Sequence, residues 1–233
     1  TGPADRELLM KMLNRLAHRG PDGEGTYLSP EVCLGHRRLS IIDLSTGDQP
    51  MYNETKSIVT VYNGEIYNFY SLRERLIQSG HQFQSRCDTE VIVHAYEEDG
   101  DRFIDKFNGM FAIALWDKSA RKLLLLRDRL GIKPLYYYFD GTRLLFASEQ
   151  KAILEFSGFN RQLNPQAIDD FLTYRYIPGH QTMFKNIFKL PPGHILKYQD
   201  NKISISPYWQ IPDLDLSRST EQEMTHQYRD LLA

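Results

Sequence analysis

The chain has 233 residues, of which 41% are hydrophobic and 25% charged, with 28 Lys and Arg against 30 Asp and Glu. That balance is ordinary for a globular protein and is enough for one sizeable core or two small ones. A net charge of -2 leaves no basic face for nucleic acid, and the longest apolar run, residues 110–116, is far too short to span a bilayer. Cys33 and Cys87 form neither a disulfide framework nor, with the histidines, a metal-binding motif, and no signal peptide is visible. The expected setting is therefore reducing and cytoplasmic. The chain opens on Thr1-Gly2-Pro3 and closes inside a helical pattern at Asp230-Leu231-Leu232-Ala233, so the expectation is a piece of a longer protein.

Leu8, Leu9, Met12, Leu13 and Leu16 recur at helical spacing, which predicts an amphipathic helix over residues 5–17 capped by Asp5. The glycines and proline of residues 18–25 break it into a loop. Short strands follow at 27–28 and 32–36 around Ser29-Pro30, and residues 38–43 read as a further strand end. A run of strand formers, residues 58–62, leads into Asn63-Gly64, which reads as the turn that stops it. Phe69, Leu72, Leu76 and Ile77 mark a helix between an Asn68 cap and Gly80, and Asp88 precedes another over residues 89–98.

Residues 110–116 and 122–127 are strands joined across Asp117-Lys118-Ser119. Residues 135–139 and 143–147 form a hairpin around Asp140-Gly141, and Ser148 opens a short helix. Asn164-Pro165 starts a helix to about residue 175, residues 193–198 and 202–206 pair as another hairpin, and Ser219 or Thr220 caps a last helix. Strands and helices thus come in blocks dominated by hairpins. That pattern predicts an α+β fold, with stacked antiparallel sheets covered by helices.

The stretch Tyr62-Asn63-Gly64-Glu65 places an amide side chain, a bare glycine N–H and a carboxylate together, a set suited to a small zwitterion. Asn63 and Gly64 give two donors of the kind that make an oxyanion hole, or are simply a turn. Glu65 has no obvious local task. Arg37 and Arg38 face opposite sides of a strand, so one can be solvated while the other holds a carboxylate in a cleft. Asp88 is a helix N-cap or a partner for an ammonium group. Arg127-Asp128-Arg129 reads as an ion-paired turn. A nucleophile is missing from this set. Cys33 reads as a small core residue, the charge of Asp88 would raise the pKa of Cys87, and Gly2-Pro3 is the wrong context for a catalytic Thr1.

The segments 18–23, 35–43, 62–68, 87–90, 107–112, 127–135 and 146–149 occur in an order and wording that resembles the glutaminase domain of glutamine-hydrolysing asparagine synthetases, which are class II glutamine amidotransferases. The resemblance implies an N-terminal nucleophile hydrolase fold, a four-layer αββα sandwich with two antiparallel sheets. It implies that Arg38 holds the α-carboxylate of glutamine, that Glu65 and Asp88 hold its α-ammonium group, and that Asn63 and Gly64 form the oxyanion hole. The nucleophile it implies is a cysteine at the mature N-terminus, on a first strand that residues 1–206 do not include. Residues 207–233 would be a linker and the start of a synthetase domain. No cofactor is implied for the glutaminase domain, while ATP and magnesium are implied for the synthetase domain. Glutamine and that domain in cis are the expected partners, with room for a homodimer. The alternatives are a non-catalytic glutamine-binding module or another class II amidotransferase domain.

Overall fold

The computed structural model of the chain describes residues 5–39, 47–212 and 220–232. In chain order it builds α1 (Arg6–Arg15), β1 (Gly23–Leu28), β2 (Cys33–Arg38), β3 (Met51–Tyr52), β4 (Ile58–Ile66), α2 (Phe69–Gln78), α3 (Thr89–Asp99), β5 (Gly109–Asp117) and β6 (Lys122–Arg127). It continues with β7 (Tyr136–Phe139), β8 (Leu144–Ala147), α4 (Gln150–Ile153), α5 (Pro165–Tyr174), β9 (Ile187–Lys189), β10 (His194–Gln199), β11 (Lys202–Pro207) and α6 (Glu221–Leu232). The strand expected at residues 38–43 lies largely outside the described residues. Among the described residues no helix is long and apolar enough to cross a membrane.

The period-two alternation of the long strands sets the layers. A six-stranded antiparallel sheet runs β11-β10-β6-β5-β4-β3. On one face Ile58, Tyr62, Ile66, Phe111, Ile113 and Leu126 pack under Leu72, Leu76, Val91 and Ile92 of α2 and α3. On the other, Val59, Val61, Ala114, Trp116 and Leu125 meet Leu34 of β2, Tyr137 of β7 and Leu144 of β8. The outer side of that second strand layer is closed by Leu8 and Met12 of α1 and Ala152 and Ile153 of α4, which pack on Tyr138, Ala147 and Ile187. The order helix, sheet, sheet, helix is the expected αββα sandwich. Its second sheet, however, is in two pieces, β1-β2 and β8-β7-β9.

Several local signals are used as read. Asp5 accepts the Leu8 N–H at 2.9 Å to cap α1. Gly141, at φ +94, turns the β7-β8 hairpin. Thr220 and Glu223 form a reciprocal capping box at the start of α6. One signal is overruled. Asn63-Gly64 is not a turn, because β4 runs straight through it to Ile66, pairing Asn63 with Ala112, Gly64 with Phe111 and Glu65 with Met110. Glycine is needed there for proximity instead. A Cβ on Gly64 would sit 2.2 Å from the Met110 carbonyl oxygen and 2.7 Å from Phe111 Cα.

Candidate functional site

The far end of β4 is where the sequence-predicted residues meet. Antiparallel pairing turns successive backbone N–H groups to opposite edges of a strand. Phe111 exchanges its backbone bonds with Asp128, on the β6 side: its N–H donates to Asp128 Oδ2 and its carbonyl accepts the Asp128 N–H. Gly64, opposite Phe111, therefore turns its N–H away from β5, as do Tyr62 and Ile66. Short β3 reaches only as far as Thr60, and side chains take over from there. The Gln49 amide imitates a strand, accepting the Tyr62 N–H at 2.6 Å and donating to the Tyr62 carbonyl at 3.0 Å. Two positions further, the Ile66 N–H donates to Asp88 Oδ2 at 2.9 Å. The Gly64 N–H lies on this edge between the two.

Asp88 is buried and stands at the N-cap position of α3, yet its side chain makes no capping bond. Its Oδ2 accepts both the Ile66 N–H and, at 2.6 Å, the Tyr62 hydroxyl. Burial and then the Asp88 charge push the Tyr62 hydroxyl far above its ordinary pKa, so it stays a donor. The capping alternative is thus set aside: α3 delivers a carboxylate to the β4 edge.

Arg37 and Arg38 do face opposite ways. Arg37 bonds to the Leu13 carbonyl, to Asn14 and to Glu24, fastening β2 to α1. Arg38 is buried, and its Nη1 meets the exposed Asp48 at 2.6 Å. Asp48 adjoins Gln49, so a continuous set of contacts runs from Arg38 through Gln49 and Tyr62 to Asp88. Gln49 is the member that sequence reasoning missed, since a loop glutamine carries no local signal. Glu65, partly buried on β4, shares its face of the strand with Asn63.

Asn63 lines a cavity of about 150 Å³ between the two sheets. Gly35 and His36 of β2 border it on one side, and residues 144–147 of β8 on the other, so the cavity occupies the break in the second sheet. Burial lowers the His36 pKa to about 4, with the Arg38 charge adding to the effect, although a hydrogen bond to the Tyr62 backbone pulls the other way. Cys33 also lines the cavity, and burial raises its thiol pKa. Cys87 is buried between Ser85 Oγ and Met51 Sδ. Neither is an activated nucleophile.

The expected ion-paired turn at Arg127-Asp128-Arg129 is a loop organiser instead. Asp128, fully buried, accepts the N–H groups of Phe111, Leu130, Ile132 and Lys133. Arg127 donates to the carbonyls of Gly131, Lys133 and Leu190.

Comparison with known proteins places this architecture. Asparagine synthetase (glutamine-hydrolysing) 2 of Bacillus subtilis is 40% identical over 97% of this chain and 32% of its own length. Asparagine synthetase (glutamine-hydrolysing) 2 of Arabidopsis thaliana is 47% identical over 64% of this chain and 26% of its own. The chain spans about a third of the length of the first of these curated relatives and about a quarter of the second. Among solved structures, an allosteric regulatory enzyme of purine biosynthesis superposes with a TM-score of 0.65 at 18% identity, covering 88% of this chain and 47% of that one. The glutamine phosphoribosylpyrophosphate amidotransferase of Bacillus subtilis superposes at 0.62 and 17%, covering 90% and 48%. Those two share the fold. The sequence itself matches the glutamine amidotransferase domain over residues 2–209, and the chain belongs to that family.

Proposed function

We propose that this chain is the glutaminase part of a glutamine-hydrolysing asparagine synthetase. The observation that carries the proposal is the β4 edge, where the Gly64 N–H lies between N–H groups held by Gln49 and Asp88, with Asn63 beside it on the cavity wall. Glutamine would lie across this edge. The buried Arg38 guanidinium takes its α-carboxylate, because its planar fork matches a carboxylate in two parallel bonds. Glu65 and the second oxygen of Asp88 take the α-ammonium group. The side-chain amide is then aimed at Asn63 Nδ2 and the Gly64 N–H.

The chemistry is acyl transfer through a thioester. A cysteine thiolate attacks the carboxamide carbon, and the two donors hold the oxygen that becomes negative. Collapse of the intermediate expels ammonia, and water cleaves the thioester to glutamate. The break between β2 and β8 is the place for a strand carrying that cysteine, with Asn63 on its wall. Ammonia would pass to a synthetase domain in cis, where ATP and magnesium activate aspartate. Two features support such a domain. The chain matches only about a third of its relatives, and α6 buries none of its described side chains while exposing Met224, Tyr228 and Leu231 along one stripe. The two free cysteines agree with a cytoplasmic setting.

The test is turnover of the full-length native enzyme. Asn63→Ala should lower glutamine hydrolysis by about 10²–10³ and leave synthesis from free ammonia unchanged. Wild-type glutaminase rates in that variant would overturn the assignment. Glutamine binding without release of ammonia by the native enzyme would make the domain a binding module instead.

A further inference from the structure

Four side chains from three separate segments converge beyond the opposite end of β4. They are Glu54 from the β3-β4 turn, His81 just past α2, and His94 and Glu97 from α3, and one ligand atom from each lies within 4.8 Å of all the others. His94 Nδ1 is 3.4 Å from Glu54 Oε2. His81 Nδ1 is 3.7 Å from Glu54 Oε1 and 3.8 Å from Glu97 Oε2. A tetrahedral zinc ion with bonds of about 2.0–2.2 Å spaces its ligand atoms roughly 3.4 Å apart.

The surroundings are those of a ligand set. Each imidazole turns Nδ1 to the cluster and Nε2 to an outer carboxylate. His81 Nε2 lies 3.3 Å from Glu98 Oε2, and His94 Nε2 lies 3.6 Å from Glu90 Oε1. Glu90 is itself fixed by the N–H groups of Gln84 and Ser85 and by the Ser85 hydroxyl. A carboxylate behind the distal nitrogen is what orients a metal-binding histidine and sets its tautomer. The inner carboxylates are oriented too, Glu54 by the Gln82 N–H and Glu97 by Asn53 Nδ2.

His94 is the second, independent observation. It is 1% exposed, and neither ring nitrogen has a hydrogen-bond partner among the described residues. A buried imidazole that faces carboxylates at 3.4 and 3.6 Å without a hydrogen bond to either is costly. Protonated histidines paired with these glutamates would draw in to about 2.7–2.9 Å, well short of the 3.4–3.8 Å seen here. An ion between them accounts for both the gap and the open Nδ1.

We propose that Glu54, His81, His94 and Glu97 form a binding site for a first-row divalent metal ion, with zinc as the best match to two imidazoles and two carboxylates. The ion would staple the β3-β4 turn, the segment after α2 and the middle of α3 into one unit. Nothing in the chain spacing announces it, because the ligands come from three segments.

The experiment uses untagged protein dialysed against EDTA and then titrated with zinc by calorimetry, and with cobalt as a spectroscopic probe. The expected result is one saturable zinc per chain, a raised melting temperature, and the visible absorption of tetrahedral cobalt. His81→Ala and Glu97→Gln should each weaken zinc binding more than tenfold, and Glu98→Gln, which touches only the outer nitrogen, by about 10–100-fold. Glu97→Gln changes an exposed, nearly isosteric side chain, so its circular dichroism should match the wild type even if His94→Ala fails to fold. Absence of saturable 1:1 binding, or unchanged affinity in both His81→Ala and Glu97→Gln, overturns the proposal.

Discussion

The bond between Asp88 and Tyr62 gives the sharpest test of how α3 is held against β4. Asp88, Tyr62 and Ile66 are 6%, 4% and 0% exposed, so the groups that meet there have little water to fall back on. Asp88→Ala orphans two buried donors, the Tyr62 hydroxyl and the Ile66 N–H. At about 1–3 kcal/mol for each, the loss is roughly 2–6 kcal/mol. For a chain of this length that lowers Tm by roughly 4–24 °C. Asp88→Ser separates this account from simple helix capping. Serine is as good an N-cap as aspartate but is too short to reach both donors, so it should be no more stable than alanine. A double-mutant cycle with Tyr62→Phe completes the test, because removing both partners should cost less than the two single changes summed, by about 1 kcal/mol or more. The assay is thermal and urea denaturation of the wild type, Asp88→Ala, Asp88→Ser, Tyr62→Phe and the double mutant. Recovery of stability by Asp88→Ser together with zero coupling to Tyr62 would refute the reasoning.

Three further outcomes follow from the same geometry. His36 has its pKa lowered to about 4 from 6.5, so the unfolded chain takes up the proton first and stability is lost as pH falls from about 6.5 towards 4. The loss is at most about 3 kcal/mol, reduced by solvent screening at this partly buried ring, and His36→Gln should flatten that limb of a pH-stability curve. Tyr62, Tyr96 and Tyr208 are all raised above the ordinary tyrosine value, burial being the largest cause in each. Their hydroxyl bonds therefore stabilise fully below about pH 10 and are lost above it, and Tyr62→Phe should soften alkaline denaturation followed by circular dichroism. Gly64→Ala forces a methyl against Met110 and Phe111 of β5 and should cost about 1–3 kcal/mol, read as a lower urea midpoint at unchanged slope.

What the sequence made legible is what a few neighbouring residues decide. Asp5 caps α1, Asp140-Gly141 turns a hairpin, Thr220 and Glu223 box the start of α6, and the unbroken runs of residues 58–62 and 110–116 mark buried strands. The misreadings share one cause. Asn63-Gly64 is a turn signal to its neighbours, but pairing from Ile58–Asp117 to Ile66–Gly109 makes the strand longer and more stable than the turn. Asp88 carries a capping signal, but donors at Tyr62 and Ile66 claim its carboxylate. Gln49 bears no signal at all, since its value lies in meeting Tyr62 across a sheet edge. β3 and β9 are two and three residues long, too short for a period to show.

The same contrast explains why the candidate site sits where it does. The face of β4 that carries Tyr62 and Ile66 belongs to the largest buried cluster and is fixed by α2 and α3. The edge beside it is closed by side chains rather than by a long partner strand, because β3 ends at Thr60. Side-chain closure can be interrupted at one residue, whereas a strand ladder cannot be without losing its register. Gln49 and Asp88 satisfy the N–H groups of Tyr62 and Ile66 and so bracket Gly64, a residue with no side chain to cover its own N–H. A backbone donor held rigidly from both sides costs little reorganisation when a charge develops in front of it, which is the condition for an effective oxyanion donor. The role proposed for Gly64 thus depends on Asp88 and Gln49 as much as on Gly64. Gln49→Ala should therefore lower glutamine turnover in the full-length enzyme while its synthesis from free ammonia persists; unaltered glutamine turnover would show that the bracket is not needed.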